Sequence, residues 1–309
     1  MQVYLGLSKA FKEVLIMESR RAFEISRREL VAGAAALVVS LPFAGLAFAD
    51  QKEEKKDDAK KAEEEKTEIK KVDTKGLDLK LLKEGTLTVA TSPDYPPFEN
   101  LEDDKYVGLD MELISTVAEM LDLKVEFKTI QFDGIIPAIA AGGQADVGIS
   151  AFSIDPERAK EINFTDPYYI DDIAIVTMKD NKNITKDNVA KALNDSKIII
   201  AAQSGTTGED FARETFPDAT TKGYGNATDC FAAMQAGQAD AVCTNDAVAK
   251  KTVKDFYTDA QIVKEIATGE EYAAIVSKDN EDLLKAINEA LGILKEDGYF
   301  EKLANKYLS

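Results

Sequence analysis

From Leu77 onward, short apolar runs alternate with stretches of helical period. TLTVAT (86–91), KVEFKTI (124–130) and DVGISAF (146–152) are short and rich in β-branched residues, and each predicts a strand. Between them, LDMELISTVAEML (109–121) and FDGIIPAIAAGG (132–143) bring apolar residues round to one helical face. Asp110 lies near the start of the first helix as its expected cap, and Gly142-Gly143 close the second. KIIIAAQSGTTGEDFA (197–212) predicts a strand, a small-residue loop and a helix start. NATDCFAAMQAGQADAVCT (226–244) predicts a helix, a glycine stop and a strand. EYAAIVSK (271–278) predicts a last strand, followed by one or two helices over 280–308. Strand and helix in alternation imply an α/β architecture with parallel-rich sheets.

The phrase AGGQADVGI (141–149) returns as AGQADAVCT (236–244), with Asp146 and Asp240 in equivalent places as turn or structural carboxylates. Two copies are too few for a solenoid. They predict two similar lobes whose strand ends face a shared crevice, the usual place for a ligand in open α/β sheets. The last strand and helices must return to the first lobe. Lobe 1 is therefore expected over 77–168 plus 273–309 and lobe 2 over 173–268. Two crossings, 169–172 and 269–272, form an expected two-strand hinge. Tyr168, Tyr169 and Asp171 fall at the first crossing.

The chain before residue 77 has a different character. Residues 26–49, SRRELVAGAAALVVSLPFAGLAFA, carry a basic pair, a small-residue apolar region and an A-x-A ending, the pattern of a signal peptide. Arg27-Arg28 within S-R-R-x-L resembles a twin-arginine export signal. Arg20-Arg21 fits the same pattern farther from the apolar region, and Met17 is an alternative start. Pro42 and the modest hydrophobicity favour cleavage over a retained anchor. No Cys follows the apolar region, so no lipid anchor is expected. Residues 50–76 are mainly Lys, Glu and Asp with no apolar face, which predicts a solvated, disordered linker.

Composition narrows the function. Acidic residues number 56 against 38 basic, a net charge of −18, which argues against nucleic acid and anionic membrane surfaces. The chain has no His, so His-based triads and His-ligated zinc are excluded; no metal and no cofactor are implied. Cys230 and Cys243 lie in apolar runs and are expected as buried thiols rather than a disulfide framework.

QADVGISAFSIDPERAKEINFTDPYY (144–169) carries the candidate chemistry. Asp155-Pro156 signals a helix start, which puts Arg158 in the first turn. A cation is unfavourable at that end of the helix dipole. A small carboxylate held by free N–H groups and the guanidinium fork would offset the cost.

TLTVATSPDYPPFEN, KYVGLDMEL, QFDGIIPAIAAG, SIDPERAKEINFTDPYY, QSGTTGEDFA and GYFEKLANKYL together resemble the solute-binding proteins of polar amino-acid ABC importers, solute-binding family 3. The resemblance runs in order over about residues 84–308. It implies the two-lobed periplasmic-binding-protein fold, closing on one free amino acid and presenting it to an ABC permease. The protein is then expected outside the cytoplasm, as a monomer and not as an enzyme.

By the same resemblance, Arg158 forks onto the ligand carboxylate, with Ser153 offering a hydroxyl and Ala151 a carbonyl. Tyr95 and Phe132 sandwich the ligand side chain. Gln203, Ser204, Thr206 and Thr207 supply N–H and hydroxyl donors, and the two threonines also fit as caps of the next helix. Family members commonly place an Asp after the A-D-A-V strand for the α-ammonium. Here Asn245 holds that place and Asp246 follows. The first loop often has Asp where Ser92 stands, which favours a polar, neutral ligand, although Asp94 could turn the site toward a basic one. Two rival readings are a cyclohexadienyl-dehydratase-like enzyme recruiting Asp94 or Asp246, and a ligand-sensing ectodomain.

Overall fold

The computed structural model describes residues 69–308. The expected leader, both arginine pairs and most of the charged run lie outside the described residues. In chain order the strands are β1 (Thr86–Thr91), β2 (Asp94–Tyr95), β3 (Glu99–Glu102), β4 (Lys105–Val107), β5 (Lys124–Thr129), β6 (Val147–Gly148), β7 (Ile162–Phe164), β8 (Tyr169–Met178), β9 (Ile199–Gln203), β10 (Thr220–Tyr224), β11 (Ala241–Asn245), β12 (Ala260–Tyr272) and β13 (Ile275–Ser277). The helices are α1 (Leu109–Met120), α2 (Phe132–Ala141), α3 (Val189–Leu193), α4 (Thr207–Thr215), α5 (Ala227–Gln235), α6 (Asp246–Asp255), α7 (Glu281–Glu296) and α8 (Tyr299–Tyr307).

Two five-stranded sheets organise these elements, in the orders β5-β1-β6-β13-β7 and β10-β9-β11-β8-β12. In the first, β5, β1 and β6 are parallel and β13 runs against both β6 and β7. In the second, β10, β9 and β11 are parallel and β8 runs against β11 and β12. The protein is thus a two-lobed α/β fold. In each sheet four strands run one way and one runs against them: β13 in the first, between β6 and β7, and β8 in the second, between β11 and β12. A small β2-β3-β4 meander lies outside the two sheets.

The period-2 alternation of each strand divides its side chains between two apolar layers. Ile173 and Ile175 of β8 join a cluster with Leu193, Ile200 and Phe216. Ala174 and Val176, from the same strand, join Phe231 and Met234 of α5 on the opposite face. In the first sheet, Leu87 and Val89 pack with α1 and α7. Ala90 faces Phe132, Ile135 and Ile139 of α2. Gly148 lies between Ile275 and Ile135, where a Cβ would stand 2.7 and 2.8 Å from their side chains, so any larger residue would force them to shift.

The internal repeat is visible in hydrogen bonds. Asp146 N donates to Thr88 O and Asp146 Oδ2 accepts from Thr88 N, each at 2.8 Å. Asp240 N donates to Ile199 O at 2.8 Å and Asp240 Oδ2 accepts from Ile199 N at 2.9 Å. The same ring closes on the leading strand of each sheet.

Some expected elements differ. DVGISAF pairs only at Val147–Gly148, because Ala151 adopts φ 48° and turns the chain out of the sheet. EYAAIVSK divides between the end of β12 and β13. Asp110 is not a helix cap: its buried Oδ2 accepts from Ala151 N and Tyr168 OH, both at 2.8 Å. Asp155-Pro156 opens a single 3-10 turn, Arg158–Lys160, rather than an α-helix, since β7 begins at Ile162 and leaves no room for more. Residues 69–76 lie on the first lobe: Val72 is buried, its N–H donates to Met120 O at 2.9 Å, and Ile69 packs on the core. Cys230 and Cys243 are buried free thiols, and burial pushes both thiol pKa values up.

Candidate functional site

The site lies where the segments after β1, β5 and β6 meet those at the ends of β9 and β11. Arg158 is at its centre. One guanidinium nitrogen donates to Ser153 O and another to Gly205 O, both at 2.9 Å. Ser153 follows the first sheet and Gly205 the second, so a single side chain joins the two lobes. The guanidinium lies 5.6 Å from the ring centroid of Phe132 and 5.8 Å from that of Phe152. Those rings stack on one another at 4.7 Å. Contact with aromatic faces favours a cation that is partly stripped of water. Burial nonetheless lowers the Arg158 pKa, opposed by the nearby charges of Asp155, Glu270 and Asp210.

The 3-10 turn does not offer the free N–H groups expected of a helix start. Asp155 Oδ1 takes both, from Glu157 N at 2.8 Å and Arg158 N at 3.0 Å. At this turn an anion would meet the guanidinium rather than backbone N–H groups.

Side-chain hydroxyls come from Ser153 and Thr207, whose Oγ atoms stand 3.4 Å apart across the lobes. Tyr95 crosses the same gap: its hydroxyl donates to Asn245 Oδ1 at 2.7 Å and bonds Thr244 Oγ1 at 3.0 Å. Burial raises the Tyr95 pKa, so the group is a neutral phenol and a reliable donor. Tyr95, Phe132, Ala151, Ser153, Arg158, Thr206, Thr207 and Asn245 line a common cavity of about 10 Å³, room for about one water.

The remaining expected residues sit around this cavity rather than on it. Ser92 donates to Asp94 Oδ1 at 2.9 Å, and Asp94 Oδ2 accepts from Ala227 N at the start of α5. Gln203 is buried and donates to Gly225 O at 3.3 Å. Ser204 N donates to Tyr224 O at 2.8 Å. Thr206, which is on the lining, also caps α4, accepting from Glu209 N at 3.2 Å. Asp246 pairs with Lys250 and lines a separate recess of about 250 Å³ with Pro97, Tyr169 and Tyr307. That recess is larger, but its lysines Lys250 and Lys251 are already paired, with Asp246, Glu265 and Asp255.

Behind the site, two fully buried carboxyls hold the loop that carries Ser150 to Ser153. Asp110 fixes Ala151 at its positive φ, and Glu99 Oε1 accepts from Ser150 Oγ at 2.6 Å. Burial and the neighbouring Asp110 raise the Glu99 pKa well above the carboxylate range.

The sequence reading missed Glu270. Its Oε2 accepts from Ser153 Oγ at 2.5 Å, Thr207 Oγ1 at 2.7 Å and Asn245 Nδ2 at 3.2 Å. The only signal was its position in the second expected crossing.

A family model described as bacterial extracellular solute-binding proteins, family 3, matches residues 87–309. The ABC transporter arginine-binding protein 1 of Escherichia coli (strain K12) is 28% identical over 72% of this chain and 90% of its own. An ancestral arginine-binding protein, solved with arginine and with glutamine, is 36% identical with a TM-score of 0.68. In both structures the match covers 73% of this chain, and it covers 99% and 98% of theirs. An ancestral amino-acid-binding protein, a precursor of cyclohexadienyl dehydratase, is 34% identical over 73% of this chain and 96% of its own, with a TM-score of 0.67.

Proposed function

This chain belongs to the bacterial extracellular solute-binding proteins of family 3, and on that footing we propose that it captures one free amino acid between its lobes and delivers it to an ABC permease. The observation that carries the reading is Arg158, a guanidinium stacked on Phe132 and shared between Ser153 O and Gly205 O of the two lobes. A ligand carboxylate would take the fork in place of one or both carbonyls, with Ser153 and Thr207 hydroxyls beside it. Tyr95 and Phe132 would flank the ligand side chain.

The space now enclosed is far smaller than an amino acid, so entry requires the lobes to part. The residues 169–172 and 269–272 serve as the hinge, with lobe 1 over 77–168 plus 273–309 and lobe 2 over 173–268. Closure on the ligand then follows from contacts made only when both lobes touch it.

A polar, neutral side chain suits the site best. Arg158 is the one charged residue on the cavity lining, and the carboxylate common to all amino acids would use it. The ancestral relative was solved with arginine and with glutamine, one basic and one neutral ligand. Turnover is not part of the reading. Asp94 is held by Ser92 and the α5 start, and Asp246 by Lys250, so neither is a free acid or base on the cavity. The protein acts as a monomer outside the cytoplasm, exported through the Arg27-Arg28 signal. Replacing that pair by Lys-Lys should stop export.

The site is tested by calorimetry with the best binder from a thermal-shift screen of L-amino acids. Arg158→Ala should weaken binding by about 3 kcal/mol or more, the scale of a buried charge left without its partner. Unchanged affinity would remove Arg158 from the site.

A further inference from the structure

Glu270 is the feature that neither the family membership nor the cavity lining explains. Three of the lining residues, Ser153, Thr207 and Asn245, donate to its Oε2. Its other oxygen has only a 3.5 Å approach from Thr268 Oγ1, so it keeps acceptor capacity. The backbone is built to aim it. The β8–β12 pairing breaks register between Ile266 and Glu270, and Gly269 takes φ 63° just before it. Gly269 N–H is pinned to Asp172 Oδ1 at 2.9 Å. A bulge of this kind redirects a side chain beside a site.

Glu270 and Arg158 meet on one residue: Ser153 donates its hydroxyl to the carboxylate and accepts the guanidinium on its carbonyl. Each also lies within the other's field. A guanidinium and a carboxylate converging from different elements match the two ends of an α-amino-acid zwitterion, whose carboxylate and ammonium are one carbon apart. Asn245, at the place where the family resemblance leads one to look for a carboxylate, is a neutral amide that itself donates to Glu270.

We propose that Glu270 receives the ligand's α-ammonium, so that the site selects amino acids over acids of the same shape that lack a cationic nitrogen. The assignment deepens the amino-acid-capture reading and rests on it. It also leaves no charged lining residue for the ligand side chain, in keeping with a neutral polar one.

The test compares the best-binding L-amino acid with its α-hydroxy-acid counterpart, by calorimetry, in the wild type, Glu270→Gln and Glu270→Asp. The wild type should prefer the amino acid by about 100-fold or more, the scale set by a charged partner left unsatisfied. Glu270→Gln should lose most of that preference by weakening the amino acid, while the hydroxy acid changes by less than about threefold. Glu270→Asp, which keeps the charge, should restore part of the preference and confirms that the fold tolerates change there. If the wild type binds no L-amino acid, the capture reading and this assignment both fall. If it binds one and the preference survives in Glu270→Gln, only the assignment falls. If Glu270→Gln tightens both ligands, Glu270 competes with the ligand carboxylate instead, which also overturns the assignment.

Discussion

Asp171 shows how one buried group ties the two crossing strands to the second lobe. It sits on β8, accepts from Tyr272 OH on β12 at 3.0 Å, and accepts from Ala247 N in the first turn of α6 at 3.2 Å. Desolvation pushes its pKa up to about 7, although these donors pull the other way. In the unfolded chain the same carboxyl titrates near 4. Between about pH 4 and pH 7 the folded protein therefore holds a proton that the unfolded chain has released, and stability falls as pH rises through that window. Glu99 and Asp110, also raised by burial, slope the same way. Asp171→Asn cannot titrate. Its melting temperature should fall less than the wild type's from pH 4 to pH 7, with the two curves running parallel above that range. Parallel curves throughout would show that Asp171 keeps an ordinary pKa.

Among the helices, α4 and α5 contrast in how their first turns are satisfied. Thr206 caps α4 from within its own chain segment. The equivalent residue of α5, Asn226, makes no such bond to the helix backbone. The α5 start is instead capped by Asp94, a residue of β2 far away in sequence. A carboxylate at a helix N-terminus satisfies an orphan N–H and complements the dipole. Asp94 follows the first sheet and α5 packs on the second, so this cap bridges the two. Asp94→Ala should speed amide exchange at Ala227 and Thr228 and leave the α4 amides unchanged, since Thr206 remains. The loss of an N-cap is worth about 1 kcal/mol. Equal protection of α5 in the variant would mean that Asp94 is not its cap.

At the level of the molecule, the two lobes are joined by the β8 and β12 crossings, by polar bridges at Arg158, Tyr95, Asp94 and the Glu270 cluster, and by Ala227, Ala247 and Val248, which pack into the first lobe's apolar cluster. Four polar bridges of this kind hold less free energy than an apolar interface of the same extent. The hinge reading expects a measurable opening and closing. Small-angle scattering should give a smaller radius of gyration with saturating amino acid than without it. The Tyr95→Phe variant, which loses the bonds to Asn245 and Thr244, should need more ligand to reach the compact form. An unchanged radius under all conditions would argue for a rigid body in place of a hinge.

Much of this protein is legible in its sequence. Apolar period gives the strand-helix alternation, and the A-D-A-V phrase and its twin give two lobes with the same aspartate ring at Asp146 and Asp240. Both depend on local spacing, which is written in consecutive residues. The expected site residues were read from the loops and element ends that the same spacing places around the crevice, yet their division into cavity wall, cap and support was not readable. Asp94 and Asp246 are both acidic and both beside the crevice, and only packing sends one to a helix start and the other to a lysine. Glu270 was invisible because a register break in β12 and a glycine at positive φ aim it inward. Asp110 looked like a helix cap because its neighbours in sequence suit one, while its true partners, Ala151 and Tyr168, lie more than forty residues away. Local pattern sets which elements form. Which polar groups meet is set by long-range closure of the chain, where burial leaves each donor and acceptor only the partners that geometry brings to it.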